Sequence, residues 1–189
     1  MSTSDRGPDL SFIAGLTRVR AAAGALIQDE AGRVLLVRPT YKGTWDIPGG
    51  SLEPGESPRA ACVRELDEEL AITPEIGALL CVDWVPPAPP WDGGLMFVFD
   101  GGVLPAAEVA AIRLPPEELE GFAFVAPGDL DGPLTPEMAR RLRACLGRPG
   151  RGGVYLEDGY AESDHPESGK SDGSQSHDGP GGTRDGRDA

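Results

Sequence analysis

Residues 50–72 constrain the fold more than any other segment of this 189-residue chain. They read GSLEPGESPRAACVRELDEELAI, a glycine-rich turn followed by a run of good helix formers. Ser57 can accept a hydrogen bond from a free N–H of a first helical turn. Pro58 suits the first helical position, because the N–H that it lacks is not needed there. The pattern therefore predicts a helix over residues 58–70 that begins just after a tight turn.

The predicted helix has two different sides. At about 100° per residue, Glu65, Glu68 and Glu69 share one stripe, and the adjoining apolar stripe contains Cys62, Val63, Leu66 and Leu70. Arg64 precedes Glu68 by four residues, so the two can pair and orient the carboxylate. One side of the helix can therefore pack into a core while the other presents three carboxylates to a cleft.

Three neighbouring carboxylates repel one another unless a cation lies among them. Carboxylate oxygens are the ligands that Mg²⁺ and Mn²⁺ prefer, and a protein-bound Mg²⁺ is usually completed by water and substrate phosphates. The stripe of Glu65, Glu68 and Glu69 thus indicates a metal site and phosphate chemistry. The alternative is a solvated acidic helix face without a ligand.

Residues 50–72 also resemble the signature of the Nudix hydrolases. That signature runs Gly, five residues, Glu, seven residues, Arg-Glu, an aliphatic residue, any residue, Glu-Glu, any residue, Gly and an aliphatic residue. The positions that match are Gly50, Glu56, Arg64, Glu65, Leu66, Glu68, Glu69 and Ile72. Ala71 stands where the family has glycine, and because alanine disfavours positive φ we expect the helix end to turn differently here.

The resemblance implies a fold and an activity. The fold is α/β, a Nudix-type α/β/α sandwich with a mixed β-sheet. The activity is Mg²⁺-dependent hydrolysis of a diphosphate linkage in a nucleoside diphosphate derivative or nucleoside triphosphate, with Mn²⁺ as the alternative cofactor. By this resemblance Glu65, Glu68 and Glu69 hold the metal, and Arg64 orients a glutamate.

Further site residues follow from the resemblance with alternatives left open. Gly49 and Gly50 would let the backbone pass close to metal and phosphates, and Glu56 either stabilises the loop–helix junction or acts directly. The general base is either a glutamate of the signature or an acid ahead of the last strand. For the latter, Glu118 is the first candidate and Glu117 the second, and both could instead be solvated loop acids.

Substrate contacts outside the signature are proposed from residue type. Aromatic faces can stack on a nucleobase, and the candidates are Trp45, Trp84, Trp91, Phe97 and Phe99. Trp91 is preferred because it lies in a loop rich in proline and glycine, whereas the two phenylalanines suit a core. Arg38 and Lys42 could bind phosphate or could be ordinary surface charges.

Composition excludes several function classes. The chain has 31 acidic and 17 basic residues and a formal net charge of −14, which argues against a nucleic-acid partner. Both histidines, His165 and His177, lie close to the C-terminus, so a histidine-dependent nucleophile or zinc site is excluded from the predicted body. The expected partner is therefore a small-molecule substrate.

Cysteine usage and hydropathy point to the cytoplasm. The three cysteines, Cys62, Cys81 and Cys145, lie in apolar segments without a CxxC pair, as expected of free thiols in a reducing compartment. No stretch has the composition of a signal sequence or a membrane span. We therefore expect a cytoplasmic protein with no membrane partner.

The chain divides into three predicted parts. Residues 1–17 form a leader, residues 18–147 the Nudix domain, and residues 148–189 an acidic tail rich in Gly, Ser and Asp that is expected to be disordered. Within the tail, only residues 154–156 could dock on the body. Strands are predicted over residues 18–28, 34–37, 77–85, 95–100 and 122–125, and a second helix over 135–146. The apolar pair Phe12 and Ile13 could serve a homodimer, by analogy with other Nudix proteins.

Three competing functions remain open at the level of sequence. The first is a hydrolase. Its substrate is either ADP-ribose or a nucleotide sugar, or else a nucleoside triphosphate, since the signature is the same for both. A second reading is a catalytically silent domain that binds a nucleotide or a partner protein. A third is an isomerase of an isoprenoid diphosphate, which would need a catalytic cysteine.

Overall fold

A computed structural model describes Gly7, residues 9–146 and residues 152–164 of the chain. The elements alternate between strands and helices, as in other α/β domains. In chain order they are α1 (Leu10–Gly15), β1 (Arg20–Gln28), β2 (Val34–Pro39), β3 (Gly49–Ser51), α2 (Pro58–Leu70), β4 (Leu79–Val85), β5 (Gly94–Val103), α3 (Ala106–Val109), β6 (Leu119–Val125), α4 (Pro136–Leu146) and β7 (Val154–Glu157). Short 3₁₀ turns occupy Pro127–Asp129 and Glu162–Asp164.

The strands form one mixed sheet in the order β6-β2-β1-β5-β4-β7, with β3 paired to β1. The pairs β1–β5 and β4–β7 are parallel, and the other pairs are antiparallel. β2 and β3 share one edge of β1: β3 pairs opposite residues 22–24, whereas β2 pairs at Gln28. The sheet therefore opens between β2 and β3, and the turn that begins the signature lies at this opening.

Two hydrophobic cores lie on opposite faces of the sheet. Alternate residues of β1 point to opposite sides, so Ala23, Ala25 and Ile27 join the core under α2, whereas Leu26 joins the core under α4. α2 contributes Ala61, Cys62, Leu66 and Leu70 to its core, and α4 contributes Met138, Ala139, Leu142 and Cys145. The predicted α/β/α sandwich with a mixed sheet is thus confirmed.

The folded body extends past the boundary predicted at residue 147. β7 pairs in parallel with β4, and Leu156 is fully buried against the α4 core. Residues 152–164, which were predicted as tail, therefore lie on the body, and they include the residues 154–156 that could dock. The rest of the predicted tail, residues 148–151 and 165–189, lies outside the described residues.

The N-terminal segment contributes a short exposed helix. In α1, the Asp9 side chain accepts from the N–H groups of Ser11 and Phe12, which caps the helix. None of its residues is buried, and Phe12 is 66% exposed. Across the described part of the chain, no helix is both long and apolar enough to cross a bilayer.

Candidate active site

The helix α2 carries the acidic stripe, and its start is fixed locally. Ser57 has extended backbone angles and its Oγ accepts from the N–H of Ala60 at 3.2 Å, with Pro58 at the first helical position. The observed bounds, Pro58–Leu70, agree with those predicted. Val63 departs from the prediction, because it is 39% exposed rather than packed.

The helix ends at Ala71 in the left-handed conformation, with φ 54° and ψ 39°. Its N–H donates to the carbonyl of Asp67 at 2.9 Å, and the N–H of Ile72 donates to the carbonyl of Leu66 at 3.4 Å. The expectation that alanine would change the turn is therefore wrong. Alanine adopts the geometry that glycine would adopt more easily, at some cost in backbone strain.

Arg64 connects most of the acidic cluster. Its guanidinium makes two hydrogen bonds of 3.0 Å to the carboxylate of Glu56. One Nη donates at 2.9 Å to both Glu65 and Glu68, and the other donates to the carbonyl of Ser51 at 3.1 Å. The planar fork of arginine suits such paired contacts. Arg64 therefore fixes three carboxylates relative to the turn that precedes the helix.

Glu56 has a structural position within this network. Its pKa lies below the ordinary value chiefly because Arg64 donates to its carboxylate, and the N–H of Glu53 donates to the same group. The N–H···O distance from Glu53 is 3.0 Å. A carboxylate that accepts these bonds holds the loop of residues 53–56 against α2, which favours the structural alternative for Glu56.

Glu69 is a half-buried carboxylate held by a backbone N–H. The N–H of Gly49 donates to its Oε2 at 2.8 Å. Burial, aided by the negative charges of Glu65, Asp46 and Glu118, raises the pKa of Glu69 to about 8 despite the opposing hydrogen bond from Gly49. The ionised form of Glu69 is therefore disfavoured in the protein alone, and a cation beside it would relieve the penalty.

The glycine turn lies against the carboxylates. A Cβ on Gly50 would come within 2.3 Å of Oε1 of Glu65, and one on Gly49, whose φ is +143°, would come within 2.3 Å of the carbonyl oxygen of Ala23. Burial also raises the pKa of Glu65, while Arg64 opposes this effect. Only glycines at these two positions allow the backbone to approach the carboxylates this closely.

Glu118 lies at the edge of the cluster, directly before β6. Its charge is among those that raise the pKa values of Glu65 and Glu69, whereas Glu117 is not among them. The carbonyl of Glu118 accepts from the N–H of Thr40 at 2.8 Å, which ties this loop to the end of β2. The Glu118 side chain is exposed, so it faces solvent as well as the cluster.

Comparison with known proteins decides the family. A model of the NUDIX domain matches residues 18–145 of the chain. The chain belongs to the Nudix family. The prediction made from residues 50–72 is confirmed.

Relatives within the family have varied names. The chain is 35% identical over 77 residues to an RNA pyrophosphohydrolase of Roseobacter denitrificans, covering 39% of this chain and 48% of that protein. It is 40% identical over 62 residues to human diphosphoinositol polyphosphate phosphohydrolase 2, covering 32% and 34% respectively. The match spans less than half the length of either relative. A MutT protein from Methanosarcina mazei has a similar structure, with 28% identity, a TM-score of 0.56, and coverage of 69% of this chain and 91% of that one.

The structure does not bring every predicted residue of this Nudix domain to the cluster. Arg38 forms an ion pair of 2.9 Å with Glu120 on the neighbouring strand β6. Lys42, in contrast, lies beside the cluster, because it pairs at 2.5 Å with Asp46, whose charge acts on Glu69. Trp91 lies in the loop between β4 and β5 and borders a neighbouring cavity rather than the carboxylates.

Sequence reasoning missed two members of the cluster. Asp46 precedes the glycine turn and adds negative charge beside Glu69; an acid just ahead of such a turn is the signal that could have found it. Ser51 acts through its backbone carbonyl, which accepts from Arg64. A backbone role leaves no trace in residue type, so no pattern could have indicated it.

The Nudix signature implies a divalent cation, and the side chains fit one. As they stand, the described residues contain no group of three or more acidic, Cys or His side chains arranged to hold a metal. Arg64 engages Glu65 and Glu68, and Gly49 engages Glu69. The donor set nevertheless consists of hard carboxylate oxygens, and partial burial raises the pKa of Glu69, so a cation beside it would favour its ionised form. Glu65, Glu68 and Glu69 are the side chains that would hold the cation.

Proposed function

We propose that this Nudix protein is a Mg²⁺-dependent pyrophosphohydrolase that cleaves a diphosphate linkage in a nucleoside diphosphate derivative or nucleoside triphosphate. The observation that carries this proposal is the complete cluster of signature carboxylates, in which Arg64 holds Glu65 and Glu68 and the N–H of Gly49 holds Glu69. Both curated relatives are named as phosphohydrolases or pyrophosphohydrolases, which supports the reaction class. Their names differ in the group attached to phosphate, so they do not identify the substrate of this protein.

Glu65, Glu68 and Glu69 are the proposed ligands. When bound, the cation supplies positive charge for the diphosphate oxygens and lowers the pKa of a neighbouring water. Arg64 keeps Glu65 and Glu68 in a common orientation, and the N–H of Gly49 does the same for Glu69. This advance positioning reduces the reorganisation needed when substrate arrives.

Glu118 is the proposed proton acceptor. The attacking water forms a bond from its oxygen to one phosphorus, gives its proton to the Glu118 carboxylate, and the bridging P–O bond breaks as the other phosphate leaves. Glu118 lies near enough to Glu65 and Glu69 to perturb their pKa values, yet its side chain reaches solvent. Such a position suits a group that must receive a proton and then release it.

The buried thiols weigh against the isomerase alternative. Burial raises the pKa of Cys62 to about 11. A hydrogen bond with Cys145, together with burial, raises the pKa of Cys81 well above its ordinary value. All three cysteines are free and buried. A thiol in such surroundings is a poor nucleophile or acid–base group.

The test is product formation from a panel of anhydrides with Mg²⁺ present. The panel contains nucleoside triphosphates, ADP-ribose, nucleotide sugars, dinucleoside polyphosphates and a diphosphoinositol polyphosphate. We expect the wild type to cleave at least one of them, and Glu68→Gln to lower kcat by about 10²-fold or more. Glu75→Gln, at an exposed acid outside the cluster, is the matched control and should keep wild-type activity.

Two results would contradict the proposal. Full activity in Glu68→Gln would remove Glu68 from the ligand set. No turnover of any compound by folded wild type would favour the second reading, a domain that binds a nucleotide or a partner without chemistry.

A further inference from the structure

The N-terminal segment carries an exposed apolar patch. Between 39% and 77% of each of its large apolar residues is exposed. These residues, called the N-terminal patch below, are Leu10, Phe12, Ile13, Leu16 and Val19. Contiguous apolar patches are uncommon on the surface of soluble monomers and usually mark an interaction site.

The described body of the chain leaves the N-terminal patch uncovered. None of its residues belongs to either hydrophobic core. The backbone of α1 bonds locally: the N–H of Ile13 donates to the carbonyl of Asp9 at 3.1 Å, and the N–H of Leu16 donates to the carbonyl of Ile13 at 3.3 Å. A helix as short as α1 is marginal by itself in water. Apolar contacts with another surface would therefore stabilise it.

One charge with spare hydrogen-bonding capacity lies near each end of the patch. Oδ1 of Asp9 accepts from the N–H groups of Ser11 and Phe12 and from the Ser11 hydroxyl, whereas Oδ2 has no partner among the described residues. Arg18 is exposed and forms no ion pair within the described part of the chain. The segment thus runs from an acid through apolar residues to a base.

This order of charges is complementary to itself. When two identical segments lie antiparallel across a two-fold axis, each contact between two positions occurs twice. An axis near Ile13 would place Asp9 beside Arg18 of the second copy, and the apolar side chains would meet between these two ion pairs. Phe12 would then face Gly15 of the second copy. A Cβ on Gly15 meets no atom within 4 Å in the single chain, so the space beside Gly15 is open.

We propose that the N-terminal patch is a homodimer interface, in which two copies pack antiparallel through their apolar side chains and the Asp9 carboxylate of each copy pairs with the Arg18 guanidinium of the other. A bilayer suits the patch less well, because anionic headgroups repel a protein with a net charge of −14. The inference does not rest on the proposed hydrolase activity.

The dimer should be weak and reversible. Specific interfaces bury about 1,200–2,000 Å² in total, and five apolar side chains per copy lie at the small end of that range. We therefore expect a Kd on the order of 10 μM for the dimer.

Sedimentation equilibrium of the full-length protein tests the interface. At concentrations that bracket this Kd, about 1–500 μM, the average mass of the wild type should rise from that of one chain toward that of two. Phe12→Ser should weaken association by about tenfold or more, because it removes an aromatic ring from the centre of the interface. Tyr41→Ser is the matched control, since it removes an exposed aromatic ring outside the patch and should associate as the wild type does.

Two further variants test the ion pairs while keeping the apolar surface. Asp9→Asn removes the charge but keeps a side-chain oxygen that can cap α1, and Arg18→Gln removes the opposite charge. Each should weaken the dimer about threefold at low ionic strength, because the pair occurs twice in a two-fold dimer. The double variant should be no weaker than either single variant, since both changes remove the same interaction.

Three outcomes would overturn the inference. The first is a wild type that stays monomeric throughout the concentration range. The second is association of Phe12→Ser as tight as that of the wild type, which would place the interface elsewhere. The third is binding of wild-type monomers to vesicles of phosphatidylcholine and phosphatidylglycerol that Phe12→Ser abolishes, which would assign the patch to a bilayer surface.

Discussion

Replacing Glu69 by glutamine should stabilise the metal-free protein at alkaline pH. In the folded protein the pKa of Glu69 is raised to about 8 from an ordinary value of 4.5, chiefly by burial. The folded state therefore holds a proton more tightly than the unfolded chain. Ionisation of Glu69 costs nothing extra below about pH 4.5, costs progressively more as the pH rises, and reaches its full cost above about pH 8.

The size of the effect follows from the two pKa values. The interval from 4.5 to about 8, at about 1.4 kcal/mol per pH unit, sets an upper limit of about 5 kcal/mol. Because Glu69 is only partly removed from water and keeps the Gly49 hydrogen bond, we expect about 2 kcal/mol in practice. Glutamine has the same shape and no charge, so the variant escapes this penalty.

Urea denaturation at pH 5 and pH 8.5 in the presence of a chelator measures the effect. Between these pH values the free energy of unfolding of the wild type should fall by about 2 kcal/mol relative to Glu69→Gln. Glu75→Gln removes an exposed carboxylate and should follow the wild type. Mg²⁺ at pH 8.5 should restore stability to the wild type more than to Glu69→Gln.

Parallel pH profiles for wild type and Glu69→Gln would refute the reasoning. Glu65, whose pKa is also raised by burial, is present in both proteins. Because the charges of Glu65 and Glu69 repel each other, the difference between the two profiles reports Glu69 together with this repulsion.

Three further predictions concern the same helix and loop. Ala71→Gly should raise the free energy of unfolding by about 0.5–1 kcal/mol in thermal or urea denaturation because it relieves a positive φ, whereas Ala60→Gly inside the helix should lower it by a similar amount. Arg64→Lys should lower kcat by about tenfold or more in steady-state assays, since lysine cannot reproduce the two hydrogen bonds to Glu56; wild-type kcat in this variant would count against a positioning role. Glu118→Gln should lower kcat by about 10²-fold while KM stays within a few-fold, and a large change in KM alone would argue for a binding role instead.

The parts of the structure that depend on neighbouring residues could be predicted from sequence. The bounds of α2 agree because the capping of Ser57 and Pro58 and the apolar spacing of the helix are local signals. The pairing of Arg64 with Glu68 is a relation between successive turns and was predicted for the same reason. The identity of the family followed from these spacings.

Features that depend on distant residues could not be predicted. β7 is a four-residue, mostly apolar strand in a segment rich in glycine, so the sequence indicates that it can dock but not that it pairs with β4. The turn after it is held by Asp83, which precedes Gly159 by 76 positions. Arg64 also bonds Glu56, but this contact exists only after the loop of residues 53–56 folds back on α2. Ala71 shows the reverse case, in which the fold imposes a conformation that the residue does not favour.

The sharing of one β1 edge by β2 and β3 has a consequence for dynamics. The glycine turn at Gly49–Ser51 is hydrogen-bonded to β1, which on its other edge pairs with β5 in the middle of the sheet. Because β1 lies in the middle of the sheet, the hydrogen bonds between this turn and β1 should be among the later ones in the domain to open to amide exchange. The backbone beneath the carboxylates is thus rigid before any ligand arrives, and adaptation to a substrate is left to side chains and to the loop of residues 86–92.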